Sequence, residues 1–113
     1  MDDIRLDKMT YEFNGKTYEL EVNYNVLADL QNEFGQIPDV FEGKNTMRVY
    51  TALMAAMIND YADTMKWGER ITPREFGRTV DTHNLPADNM MKATKMLMAA
   101  LFVPKEQGEE AKN

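Results

Sequence analysis

The chain has 113 residues, and 19 acidic against 13 basic side chains give it a formal net charge of −6. That size fits one domain with one modest core, and the charge repels nucleic-acid phosphates and anionic membranes alike. With no cysteine and a single histidine, disulfide frameworks, thiolate zinc sites, cysteine nucleophiles and multi-histidine relays are excluded. The longest apolar run, Met96 to Val103, is far short of a membrane span. The opening residues Met-Asp-Asp-Ile-Arg lack the basic and apolar stretches of a signal peptide. A cytoplasmic protein with no cofactor, no metal, and neither nucleic acid nor membrane as partner is expected. The one compositional excess is methionine, with ten in 113 residues.

The chain begins as β. Met9, Tyr11 and Phe13 alternate with polar residues, as do Tyr18, Leu20 and Val22, and Asn14-Gly15 between them suits the two positive-φ positions of a type I′ turn. This hairpin puts Tyr11, Phe13, Tyr18, Leu20 and Val22 on one face and leaves the acids and Lys16 in water. A lone hairpin is marginal, so helices must cover the apolar face. From Asn23 the period lengthens: Leu27, Leu30 and Phe34 predict a helix over about 24–34, capped by Asn23 or Asn25 and stopped at Gly35. Residues 36–45, with Pro38, Gly43 and Asn45, read as a connector that plugs Ile37, Val40 and Phe41 into the core.

The longest helix is expected over about 46–66, capped by Asn45 and ended at Trp67-Gly68. Its stripe of Tyr50, Leu53, Met54, Met57, Ile58, Tyr61 and Met65, with alanines between, covers more than half the circumference and argues for a central position. Thr72-Pro73-Arg74-Glu75 then carries a capping box with proline at the first helical position, which predicts a short helix to about Thr82. Pro86 opens a last helix to about Phe102. Residues 104–113 have nothing to bury and read as a disordered acidic tail behind a single domain over 1–103. The fold class expected is α+β, a hairpin packed on about four helices.

Chemistry-bearing constellations are sparse. Asp81 and His83 meet in one turn, too few ligands for a metal and no second cluster to complete a catalytic site. Asp60 and Asp63 lie a turn apart on what reads as a solvated strip. No phosphate-cradling glycine loop or nucleophile elbow occurs. Arg70, Arg74 and Arg78 recur every four residues, which reads either as a solvated face paired with Glu69 and Glu75 or as a basic row able to dock an acidic partner or another copy's Glu-rich surface. Eight methionines fall in the two long helices. Met54, Met57 and Met98 suit the core, whereas Met47, Met91 and Met96 are candidates for an exposed, adaptable partner-binding patch.

The order of these features resembles the tail assembly chaperones of long-tailed phages and prophages. The resemblance rests on Phe13-Asn-Gly-Lys-Thr-Tyr18-Glu-Leu20, the following Asn-Tyr-Asn-Val-Leu-Ala-Asp-Leu-Gln-Asn-Glu-Phe-Gly35, a plugging loop, an Ala/Met-rich helix, the Thr-Pro-Arg-Glu start and a final amphipathic helix. It covers about residues 9–102. It implies a non-enzymatic protein of the bacterial host cytoplasm that binds the tape measure protein, keeps it soluble and helps recruit tail tube protein subunits. It also implies a longer, frameshifted form. Val103-Pro104-Lys105 can be encoded by a slippery run, as can Glu42-Gly43-Lys44. The alternative is another small phage structural adaptor, a tail terminator or head–tail connector, which forms a stable ring. A homo-oligomer is compatible with either, and a small enzyme built on His83 is the third class.

Overall fold

Two antiparallel strands, β1 (Lys8–Phe13) and β2 (Lys16–Glu21), lead into helices α1 (Tyr24–Phe34), α2 (Thr46–Thr64), α3 (Pro73–Gly77) and α4 (Ala87–Phe102). The architecture is α+β, as the sequence predicts. These elements come from a computed structural model that describes residues 8–36, 46–81, 83 and 87–102. The expected connector plugs, the Asn45 cap, the Pro86 helix start and the acidic tail lie outside the described residues.

Asn14 (φ 53°) and Gly15 (φ 77°) supply the positive dihedrals of the tight turn. The resulting register pairs Met9 with Leu20, Tyr11 with Tyr18 and Phe13 with Lys16 on one face. Met9, Tyr18 and Leu20 are buried, and Tyr11 and Phe13 pack half-buried beside them. Lys16 is a correction. Its pairing with Phe13 places it on the inner face, where it forms an ion pair with Glu69 and its ammonium lies 4.9 Å from the Trp67 ring centroid. Trp67 is itself edge-on to Tyr18 at 5.4 Å and to Tyr61 at 5.7 Å.

Asn23, rather than Asn25, caps α1: its Oδ1 accepts from the Val26 N–H at 3.1 Å. Gly35 closes the helix in the left-handed region at φ 81°. Asp60 is not merely solvated, because Asn23 Nδ2 donates to it at 2.7 Å and Asn25 Nδ2 at 3.2 Å. A carboxylate on α2 thus holds the start of α1.

Central α2 packs against α1, α3, α4 and β2. Leu53, Met54, Met57 and Ile58 are almost wholly buried, and the small Ala52, Ala55 and Ala56 admit the neighbouring elements. The helix ends earlier than the apolar stripe suggests. The Trp67 N–H donates to Ala62 O and the Lys66 N–H to Asp63 O, with Lys66 at φ 59°, which is the bonding of a Schellman stop. Met65, expected in the stripe, is therefore turned out and is 45 % exposed.

Helix α3 has the full capping box: Thr72 Oγ1 accepts from the Glu75 N–H at 3.0 Å, and Glu75 Oε1 accepts from the Thr72 N–H at 2.8 Å. It stops at Gly77 instead of Thr82. The Thr79 and Val80 N–H groups switch to carbonyls three residues back, and the Thr79 hydroxyl also donates to Phe76 O at 2.7 Å. A helix-poor glycine, with β-branched Thr79 and Val80 following Arg78, favours that tightening. Phe76 is fully buried among Tyr11, Phe13 and Tyr50, its ring 5.8–6.1 Å from theirs. No helix among the described residues is long and apolar enough to cross a membrane.

Candidate interaction surface

The residues singled out in the sequence divide between distinct regions of the molecule. Met96 is a correction: it is 1 % exposed, one turn after Ala93 and beside Leu97, both fully buried. Met91 falls near the opposite side of α4 and is 57 % exposed, and Met47 in the first turn of α2 is 53 % exposed. Met54 and Met57 are buried as expected, and Met98 is half-buried.

Arg70 separates from the other two arginines. Its Nη1 donates to both Asp63 oxygens, at 3.0 and 3.1 Å. It also faces Asp29, whose carboxyl is pushed above its ordinary value chiefly by burial, against the Arg70 charge and with Asp60 and Asp63 adding to the rise. Arg70 therefore offsets a local concentration of acids within the fold.

Arg74 and Arg78 lie with Met47 around a cleft of about 510 Å³ between the start of α2 and α3. Pro73, Gly77 and Thr51 form its apolar and small walls, and Arg48 and Glu33 its rim. Arg48 pairs with Glu33 at 3.3 Å and covers the Phe34 ring at 4.8 Å. Among the described residues, neither Arg74 nor Arg78 has a carboxylate within ion-pair distance. The cleft thus joins an exposed thioether to three guanidinium groups, one of them neutralised. Arg48 was not picked out from the sequence. It is the residue after Met47, but only the fold brings it opposite Arg74 and Arg78.

A second cleft, of about 370 Å³, lies between the hairpin and the stretch linking α2 to α3. Four of its polar side chains already have partners: Asn59 bonds the Ile71 backbone, Glu69 holds Lys16, Arg70 holds Asp63, and Glu75 serves the capping box. Asp81 and His83 form a local turn, with the His83 N–H donating to Asp81 Oδ1 at 2.8 Å, and both side chains are exposed. Among the described residues, no three acidic or histidine side chains converge as a metal site would require. A further exposed surface has no sign in the sequence: Tyr24, 86 % exposed, lines a depression with Leu27, Ala28, Gln31 and Leu101. Nothing in the periodicity of α1 marks Tyr24 as outward, since it precedes the first buried position.

No protein-family model, curated protein or solved structure matches the chain.

Proposed function

We propose that the chain is a non-enzymatic binding protein, a tail assembly chaperone of a long-tailed phage or prophage. In this reading it acts in the bacterial host cytoplasm, coats the tape measure protein to keep it soluble, and helps recruit tail tube subunits. The observation that carries the binding role is the cleft in which Met47 stands exposed beside Arg74 and Arg78, two cations without carboxylate partners among the described residues. An unbranched thioether refits to partners of varied shape, and guanidinium groups recognise carboxylates in a fixed fork. The acidic remainder of the surface suits a protein that must keep an aggregation-prone partner dissolved. The chaperone assignment itself rests on the ordered sequence pattern of hairpin, glycine-stopped first helix, Ala/Met-rich helix and Thr-Pro-Arg-Glu start.

The test is co-expression with the tape measure protein of the same phage or prophage. The proposal predicts that the tape measure protein moves into the soluble fraction and co-purifies with this chain. Unchanged solubility and no co-purification would contradict it.

A further inference from the structure

Resting on that binding role, we propose that the α2–α3 cleft takes an acidic helical segment of the partner, with two carboxylates one turn apart and an apolar side chain beside them. Arg74 and Arg78 lie four residues apart, with the Arg78 N–H donating to Arg74 O at 3.2 Å. Four residues of helix advance about 6 Å, so carboxylates at i and i+4 of a docked helix match the backbone spacing of Arg74 and Arg78. Arg48 is already held by Glu33, which leaves Arg74 and Arg78 to select the partner's charge.

The apolar part of the recognition comes from Met47 and the open ground over Gly77. A Cβ at Gly77 would meet only Thr51 Cγ2, at 3.7 Å, and the residue needs no left-handed conformation. Glycine is therefore not required there by backbone geometry, and its consequence is to leave that wall of the cleft free for a side chain from outside. The rest of the molecule sharpens the selection. The net charge of −6 repels acidic segments elsewhere on the surface and makes this locus distinctive for them.

The probe is a synthetic helix-forming peptide with Glu at i and i+4 flanking Leu, titrated against the full chain beside a counterpart with Lys in place of Glu. The Glu peptide binds at low salt, the Lys peptide does not, and binding weakens as salt shortens the screening length to about 3 Å near 1 M. The double substitution Arg74→Glu/Arg78→Glu weakens binding by roughly tenfold or more. Gly77→Leu blocks the cleft without touching charge, and both variants keep the wild-type circular dichroism. Equal binding of the two peptides, or full affinity in the charge-reversed variant, overturns the proposal. So does arginine-dependent self-association that the Glu peptide fails to compete, because the occupant is then a second copy.

The same variants separate this inference from the chaperone reading. If wild type and the charge-reversed variant solubilise the tape measure protein equally well, the cleft assignment fails while the chaperone survives. If the wild type binds the Glu peptide but leaves the tape measure protein insoluble, the cleft assignment stands without the chaperone.

Discussion

Lys66 stands in the left-handed region at φ 59°, where the C′ position of the α2 stop favours glycine. Left-handed backbone costs an L-residue about 1–2 kcal/mol, partly offset by the greater unfolded-state freedom of glycine. Lys66→Gly is expected to stabilise the fold by about 0.5–1 kcal/mol, seen as a rise of a few degrees in Tm. The side chain is exposed, so no packing is lost. Tyr50 presents a second single-residue liability. Its ring is buried, yet its hydroxyl has no hydrogen-bond partner among the described residues. Burial, with the Tyr11 phenol adding to it, pushes Tyr50 up to about 12. A phenol raised in the folded state contributes stability that is intact below its unfolded value of 10.0 and is lost as pH climbs towards 12. Tyr50→Phe is therefore expected to be neutral or stabilising by up to about 1 kcal/mol at pH 7. It should also flatten the fall in denaturation midpoint between pH 10 and 12. Tyr11 and Tyr18 are raised in the same direction and leave part of that fall in place.

Among the elements, the link between α2 and α3 depends on one buried polar side chain. Asn59 Nδ2 donates to Ile71 O at 2.8 Å and its Oδ1 accepts from the Ile71 N–H at 2.7 Å, so the side chain replaces the strand partner that Ile71 lacks. Asn59→Ala strands both Ile71 groups, and urea unfolding should report a loss of about 2–3 kcal/mol. The same variant tests whether the cleft depends on this tether, since Thr72 and Pro73 follow Ile71 directly into α3. What was legible in advance followed the range of the interactions. The Asn14-Gly15 turn, the Asn23 and Gly35 ends of α1 and the Thr72 capping box are closed within a few residues, and local chemistry specifies them. The inward turn of Lys16 depends on Glu69 and Trp67, some fifty residues away. The outward turn of Met65 depends on a non-glycine residue adopting φ 59°, which residue preference argues against. Met96 went unrecognised for a different reason. In an apolar run from Met96 to Leu101, periodicity alone does not choose between neighbouring faces until α2 claims one.

At the scale of the whole molecule, α2 uses nearly all its circumference for the core, and exposed side chains are left at its first turn, on α3 and on the outer side of α4. The methionine excess divides accordingly. Met54, Met57 and Met96 fill space, and Met47, Met65 and Met91 stand in solvent. The arginine row divides as well, with Arg70 serving the fold and Arg74 and Arg78 facing outward around the cleft. Three of the residues read from the sequence as candidates, Met47, Arg74 and Arg78, thus line one cleft. Its geometry was not legible in the sequence, because Met47 and Arg74 approach only when α3 folds back on α2. Under the proposed binding role, selectivity would come from charge at the α2–α3 cleft and tolerance from thioether flexibility. The most direct measurement is the soluble yield of the tape measure protein, co-expressed with wild type, with Arg74→Glu/Arg78→Glu, or alone. Soluble, co-purifying tape measure protein is expected with the wild type, and a marked loss with the charge-reversed variant. Yields that do not differ between the wild type and the tape measure protein alone would contradict the chaperone role.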